Sequence, residues 1–374
     1  MRLLVTVTFN PNQLRAHLEP ILRLPEVASV TLVADAPGPS LPKLRTVVPS
    51  RARVRLLGRA VAKLVTCVAV ARTERPHWVI GFNLVPHGIN AAVTARLTRT
   101  QALYEMIGGP VEWQGGGWQS DNAVLGRLPR PVPALESLLL RTIRSCAVAA
   151  AMGENGRRAL IERGVSPDRA VTIPPAIDEQ RFRSVPRAHR TYQMLSVGAL
   201  IETKQTSDFI RAFVRLSARR PGVRAAIVGE GPLQASLRAQ AEDSGVKGAI
   251  DFLGFREDVE AIYADSEVFV QTSRYEALSI AVVEAMASGL PVVASDVGET
   301  RELVRHGANG YVVPVGDVEA IASRVDSLLG DDVVRERLAE TAALNARAHA
   351  GYDHVANLYR KVLIGAFAPT ATRP

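Results

Sequence analysis

The sequence predicts an α/β protein built from two doubly wound, parallel-sheet domains, and three observations carry that expectation. Short apolar runs alternate with amphipathic helical stretches along the whole chain, the order that lays parallel strands side by side with helices on both faces. A length of 374 residues at 47% hydrophobic content exceeds what one core fills efficiently and suits two. Between the two sets of alternating segments lies Phe182 to Arg190, FRSVPRAHR, which is charged, holds a proline and lacks apolar period, as a linker does.

On this division residues 1–185 form a first domain and 186–350 a second, while 351–374 supply a helix that folds back over the first domain and a tail disordered from Ala368. In the first domain, strands are expected at Leu3 to Thr8, Ser29 to Ala34, Trp78 to Phe82, Ala102 to Met106 and Ala147 to Ala151. In the second they are expected at Met194 to Val197, Arg224 to Val228, Ile250 to Leu253, Val268 to Gln271, Pro291 to Ala294 and Tyr311 to Val313.

Composition narrows the classes. No apolar stretch approaches the roughly 20 uncharged residues that a spanning helix needs, and the opening MRLLVTVTFNPN reads as a first strand rather than a signal peptide, so a cytoplasmic protein is expected. Cys67 and Cys146 are the only cysteines, too few for a disulfide framework or a spaced metal site. Residues 1–185 hold 24 Lys/Arg against 13 Asp/Glu, while the remainder holds 21 against 24. A basic first half points to a polyanionic or membrane-surface partner, or to a solvated basic face.

The chemistry concentrates in Ser273 to Ala294, SRYEALSIAVVEAMASGLPVVA: a strand end, a loop, a helix, a glycine stop and another strand. A helix opening near Leu278 leaves the amides of Ala277, Leu278, Ser279 and Ile280 unpaired at the positive end of its dipole, which suits an anion. A diphosphate there would aim a sugar at Glu276 and a ribose at Glu284, eight positions on. Each carboxylate can accept several hydroxyl hydrogen bonds. Taken singly, one glutamate is equally a helix cap and the other an ordinary surface residue.

This stretch resembles the E-x7-E signature of glycosyltransferase family 4 with its AMASGLPVVAS continuation, and the resemblance runs from residue 193 to about 330 through VGALIETK, VGEGPL, LGFREDVEAIYADSEVFV and GANGYVVPVGDVEAIA. It implies a GT-B fold, two Rossmann-like domains facing a central cleft, with metal-independent transfer that retains anomeric configuration. By resemblance Glu276 contacts the donor sugar, Glu284 the ribose, and the 277–280 amides the diphosphate. Lys204 matches the lysine that neutralises the leaving diphosphate, where charge grows as the glycosidic bond breaks. The chain departs where the family reads glycine-arginine: Gly198 is followed by Ala199, so one phosphate-binding cation is missing, and Arg274 or a first-domain cation would have to replace it. Gly229 and Gly231 end a strand at the carboxyl edge of the sheet, where open α/β folds bind ligands. Gly254, Phe255 and Arg256 end the next and are placed to frame the nucleobase.

The resemblance fades over residues 1–185, where acceptor recognition would lie. The stretch that in many family members carries a histidine reads ALYEMIGGPVEWQGGGWQSDN, without one. Gly108, Gly109 and Gly115 to Gly117 would leave amides open to a phosphate or sugar, or would form a plain loop. Glu105, Glu112 and Asp121 are candidate polar contacts, and His87, in PHG at an expected helix start, is another. Residues 51–72, RARVRLLGRAVAKLVTCVAVAR, combine six basic residues with an apolar stripe at helical spacing, and Lys43 and Arg45 extend the patch. Such a helix lies on an anionic bilayer or packs against a core.

The leading expectation is thus a hexosyltransferase using a nucleotide-diphosphate sugar as co-substrate, with no cofactor, metal or nucleic acid, acting on a glycan or lipid-linked acceptor in cell-surface polysaccharide or glycolipid synthesis. It would be cytoplasmic, or peripheral on the inner face of the plasma membrane. Two alternatives stand beside it: a catalytically weak sugar-nucleotide-binding subunit of a polysaccharide assembly complex, and a sugar-nucleotide epimerase.

Overall fold

The computed structural model describes residues 1–115, 125–185 and 189–365. The expectations for Gly116, Gly117, Asp121 and the tail from Ala368 lie outside these. Two compact units emerge: Met1–Ala176 with the segment from Tyr352, and Ile177–Gly351.

Unit 1 contains β1 (Arg2–Thr6), α1 (Pro11–Arg23), β2 (Ser29–Val33), β3 (Leu44–Val47), α2 (Arg51–Glu74), β4 (Trp78–Phe82), α3 (Ile89–Thr98), β5 (Gln101–Met106), α4 (Pro133–Ser145), β6 (Val148–Ala151), α5 (Glu154–Glu162) and β7 (Ala170–Thr172). The strands pair in the order β3-β2-β1-β4-β5-β6-β7, each pair parallel. Strands buried on both faces read as continuous apolar runs, and alternation sorts their side chains between two cores. Leu3, Val5, Ile80 and Phe82 belong to one core with Leu14 and Leu18 of α1. Leu4, Val79 and Tyr104 belong to the other with Cys67 of α2 and Ala91 and Ala95 of α3. Local signals agree with these elements. Asn10 caps α1 in a capping box with Gln13, and Pro11 opens the helix, where its missing N–H costs nothing.

Unit 2 contains β8 (Tyr192–Val197), α6 (Thr206–Arg219), β9 (Ala225–Val228), α7 (Gln234–Asp243), β10 (Ile250–Gly254), α8 (Val259–Ala264), β11 (Ser266–Gln271), α9 (Ile280–Ala287), β12 (Val292–Ser295), α10 (Thr300–Leu303), β13 (Gly310–Val313), α11 (Val318–Gly330) and α12 (Asp332–Ala350). The strand order is β10-β9-β8-β11-β12-β13, again parallel throughout. In both sheets the first strand lies inside, and the winding direction reverses beside it, between β1 and β4 in unit 1 and between β8 and β11 in unit 2.

The expected boundary at 185/186 is corrected. The Ala176 amide still bonds Ala16 O in unit 1, while the next amide, that of Ile177, bonds Ala350 O in unit 2. Ile177 also forms a bridge with Gly351, so the two crossings are adjacent strands of backbone. Phe182, expected in the linker, is buried with its ring edge on Tyr263, which draws 177–185 into unit 2. Two strands had no expectation. β3 is short and half exposed, and β7 has three residues, too few for a periodic signal.

The final helix α13 (Tyr352–Gly365) completes unit 1. Tyr352, Val355, Tyr359 and Leu363 join the α1-side core, Trp78 Nε1 donates to Leu363 O at 3.2 Å, and the Tyr359 hydroxyl donates to Glu105 Oε2 at 2.9 Å. Glu105, expected as a ligand contact, is therefore a core residue, 2% exposed. Its other oxygen is buried without a partner, and burial lifts its pKa from 4.5 to about 8, only partly opposed by the Tyr359 hydroxyl. Between these two values the folded chain holds a proton that the unfolded chain has released, so this group makes stability fall as pH rises.

Replacing it by the neutral isostere, Glu105→Gln, removes that slope. The variant is expected to gain on the native protein from about pH 4.5 to 8, at up to about 1.4 kcal/mol per pH unit, and urea unfolding at pH 5 and pH 8 measures it. A pH-independent difference would show that Glu105 does not titrate in this range.

Candidate active site

The carboxyl ends of β8 and β11 flank the reversal point of unit 2, where the helices following the two strands diverge to opposite faces and leave a crevice. Three segments converge on it. After β8 the chain runs through Gly198, Ala199 and a tight turn at Glu202–Lys204. The loop after β11 carries Ser273 to Ser279, and α9 follows. Gly198, Ala199, Lys204, Thr206, Glu276 and Ser279 line one pocket.

Lys204 Nζ donates to Glu276 Oε1 in a salt bridge. The same oxygen accepts Ser273 Oγ at 2.9 Å and Gln271 Nε2 at 3.3 Å. The Thr272 hydroxyl donates to Lys204 O and Gln205 O at 3.0 and 2.9 Å, and the Arg274 amide bonds Thr203 O at 2.9 Å. The lysine turn and the glutamate loop are thus sewn together by backbone as well as by charge. The Lys204 and Glu276 side chains are 29% and 12% exposed, enough for both to meet a ligand. Arg274, considered as the replacement cation, is exposed.

Helix α9 opens at Ile280, two residues later than expected, because Ser279 is its N-cap. The Ser279 side chain takes the Val282 amide at 3.4 Å and Ser279 O takes the Val283 amide. The amides of Ile280 and Ala281 remain as first-turn donors. Those of Ala277 and Leu278 lie in the preceding loop.

Glu284, read from sequence as an ordinary helix-surface position, is corrected: only 8% of it is exposed. The Tyr263 hydroxyl donates to its Oε2 at 3.0 Å, and Tyr263 packs on Phe182 and Phe269. Burial raises its pKa from 4.5 to about 7, against the opposing Tyr263 hydrogen bond. Glu284 does not line the pocket that holds Glu276 and Lys204.

The glycines divide. A Cβ on Gly229 would stand 1.9 Å from Gly198 O, so close packing accounts for Gly229 without a ligand, whereas a Cβ on Gly198 would meet only the Lys204 side chain at 3.9 Å. Gly254 ends β10 with φ 68° beside exposed Phe255, and Arg256 is held bidentately by Asp258 at 2.8 and 2.6 Å, its charge already matched. Gly298 carried no expectation. Its φ is 52°, and a Cβ would stand 2.0 Å from Glu276 O and 2.4 Å from Ala277 O; beside it, the Glu299 amide donates to Ala277 O at 2.8 Å. The loop after β12 therefore clamps the glutamate loop, and a glycine following a strand by three residues was its only sequence signal.

In unit 1, Gly108 is corrected as an open amide donor. Glu112, buried, accepts the amides of Ile107 and Gly108 on Oε1, and the Leu84 amide and the Tyr104 hydroxyl on Oε2, both 2.6 Å. This one carboxylate ties together the loops after β4 and β5. Gly109 is buried with φ 77°, and Gly115 packs against Val132 O. His87 is buried in a turn before α3, with Nδ1 3.0 Å from Thr6 Oγ1 and Nε2 3.2 Å from Thr8 Oγ1. Burial lowers its pKa to about 3, so it is neutral.

Residues 177–345 match the family described as glycosyl transferases group 1. Unit 2 carries a group 1 glycosyl transferase domain. Over the whole chain the fold is similar to that of HepE from Anabaena in complex with UDP and glucose, with TM-score 0.78, 17% identity, and 98% and 100% of the two chains covered. Sucrose-phosphate synthase of Thermosynechococcus elongatus also matches, with TM-score 0.78, 17% identity, and 99% and 100% covered. The architecture is therefore the GT-B fold of two Rossmann-like domains. Among sequence relatives, the lipopolysaccharide core biosynthesis glycosyltransferase LpsE of Rhizobium meliloti is 34% identical over 147 residues, 39% of this chain and 42% of that one. The glycogen synthase of Mycobacterium tuberculosis is 31% identical over 254 residues, 67% and 60%. The chain spans roughly half the length of these two relatives. In the group 1 domain the match covers every residue of the Lys204–Glu276 constellation and the Gly298 clamp.

Gly298→Ala tests the clamp. A Cβ forced into left-handed backbone against two carbonyls is expected to cost about 1–3 kcal/mol, read as a lowered urea midpoint with unchanged m-value. An unaltered midpoint would mean that the glutamate loop does not depend on this contact.

Proposed function

We propose that the chain is a metal-independent, retaining glycosyltransferase that moves a sugar from a nucleotide-diphosphate donor to a glycan or lipid-linked acceptor in cell-surface polysaccharide or glycolipid synthesis. The observation that carries this reading is the Lys204–Glu276 pair beside the first turn of α9, at the reversal point of a group 1 domain. In this reading the diphosphate lies against the amides of Ser279 to Ala281, where unpaired N–H groups and the helix dipole favour anions. Lys204 lies beside the β-phosphate and meets the charge that grows there as the bond to the anomeric carbon breaks. Glu276, oriented by Ser273 and Gln271, takes hydroxyls of the donor sugar. Glu284 serves the ribose with Oε1, since Tyr263 occupies Oε2; a hydroxyl donor there favours the ionised carboxylate and offsets part of its burial. Gly254 to Arg256 border the base. Lys204 and the helix N-terminus together supply the positive charge that a metal ion supplies elsewhere.

UDP-glucose is the first donor to test, because HepE is solved with it. Native protein is expected to bind UDP and turn UDP-glucose over. Lys204→Ala is expected to lower kcat at least ~100-fold while changing KM little, since the charge it meets develops in the transition state. A variant with native kcat and a raised KM would leave Lys204 a ground-state contact. UDP binding without turnover of any nucleotide sugar would favour a binding subunit.

The acceptor reading extends to an anionic membrane on the inner face of the plasma membrane. Helix α2 is broken at Gly58, φ 75° and ψ 162°. Beyond it Ala62, Thr66, Cys67 and Ala71 are buried. Before it, Arg51, Arg55 and Leu56 are exposed, Leu56 by 83%; Leu57, Val61 and Val65 continue an exposed apolar stripe. Apolar and basic side chains presented together suit insertion at a lipid headgroup layer, each basic residue adding about 1 kcal/mol near an anionic surface. No helix among the described residues is long and apolar enough to cross a membrane. Sedimentation with vesicles containing phosphatidylglycerol is expected to carry the protein down at low salt and release it at high salt. Changing Arg51, Arg53, Arg55 and Arg59 to Ser is expected to abolish it. Equal sedimentation with pure phosphatidylcholine would remove the electrostatic docking.

A further inference from the structure

Unit 1 repeats, on different residues, the arrangement of unit 2: a lysine and a carboxylate joined beside the reversal point of the sheet. Lys63, on the packed half of α2, is 2% exposed, yet its ammonium does not end in apolar core. Nζ donates to Asp35 Oδ2 at 2.5 Å and to Thr8 Oγ1 at 2.7 Å. Thr8 stands two residues past β1 and Asp35 two past β2. The Thr8 hydroxyl donates its single proton to the same Asp35 Oδ2 at 2.7 Å, so the nearby His87 Nε2 at 3.2 Å must be the protonated nitrogen, leaving Nδ1 to accept from Thr6. Every internal hydrogen bond of Asp35 falls on Oδ2, and a third of its side chain is exposed. Oδ1 takes no hydrogen bond from the described residues. Burial alone would raise the Asp35 pKa, but the hydrogen bonds from Lys63 and Thr8 hold it below the usual carboxylate range. A second feature lies across the strand pair. Thr6 pairs with Gly81, and two residues on from each stand Thr8 and Asn83. Asn83 adopts φ 62°, an unfavourable backbone for a non-glycine residue, and its Oδ1 is buried without a partner.

A buried lysine held against a carboxylate costs more in desolvation than a pair of apolar residues in the same space, so stability does not explain it. We propose that Asp35, positioned by Lys63, Thr8 and His87, is a binding residue for hydroxyls of a neutral sugar, and that this is the acceptor subsite of unit 1. The pair carries no net charge to attract an ion, while Asp35, a third exposed, offers a fixed, ionised acceptor to an O–H donor. The proposal deepens the glycosyltransferase reading and rests on it for the word acceptor; sugar binding itself does not.

The test uses saturation-transfer NMR on the full chain with methyl α-D-glucopyranoside, methyl α-D-mannopyranoside and dodecyl β-D-glucopyranoside, and UDP titration in parallel. At least one glycoside is expected to bind the native protein. The double variant Asp35→Asn/Lys63→Met, which leaves no buried charge unpaired, is expected to bind it at least 10-fold more weakly with unchanged UDP affinity, and Thr8→Val, at an exposed position, several-fold more weakly. Preference for the dodecyl glycoside identifies a lipid-linked acceptor, and equal binding of the two glucosides a soluble one. No glycoside bound by native protein, or native affinity in a folded double variant, overturns the subsite. Loss of UDP binding by the native protein would instead overturn the glycosyltransferase reading and leave the subsite standing.

Discussion

The handedness of the βαβ connection is the constraint on which the rest of this structure depends. Parallel strands must be joined by right-handed crossovers, so a sheet that begins in its middle and grows first one way, then the other, must send helices to opposite faces at one place. That place is a gap by construction. In unit 2 it receives Lys204 from the turn after β8 and Glu276 from the loop after β11; in unit 1 it receives Thr8 after β1 and the turn that carries His87 after β4. The polar groups are there because backbone geometry leaves those strand ends uncovered, while mid-strand positions such as Leu4, Val79, Val268 and Val293 are sealed on both faces.

Buried carboxylates here are of two contrasting kinds. Glu112 accepts four hydrogen bonds and is a structural knot. Glu105 and Glu284 each receive one tyrosine hydroxyl and keep an acid dissociation pushed toward or past neutrality by burial. The difference is the number of donors each carboxylate meets, since four donors replace the water that it gave up and one does not. Glu105 sits under α13 with its second oxygen enclosed, whereas Glu284 lies on α9 of the group 1 domain.

How much was legible follows from the same physics. Buried parallel strands are continuous apolar runs, so eleven of them could be read directly, and only the half-exposed LRTV and the three-residue AVT escaped. Lys204 and Glu276 were legible through motif resemblance, and the structure joins them. Glu284 was misplaced because a single charge in IAVVEAMA looks like a surface residue, although that helix has no polar face to put outward. Glu105 misled for a similar reason, lying in a strand covered on both sides. The Gly298 clamp and the Lys63–Asp35 pair join residues far apart in sequence, and no local pattern announces such meetings. The boundary was set by a proline-bearing, charged stretch, when the deciding features were a pair of backbone hydrogen bonds and one buried phenylalanine.

Helix α13 gives unit 1 a peculiar place in the order of synthesis. Its core needs Tyr352, Val355, Tyr359 and Leu363, which leave the ribosome after all of unit 2. Nascent domains ordinarily settle in sequence from the N-terminus, but here the first sheet made must wait with its α1 side uncovered and Glu105 unlatched while the second unit closes. Unit 2 can mature first, and unit 1 is completed last.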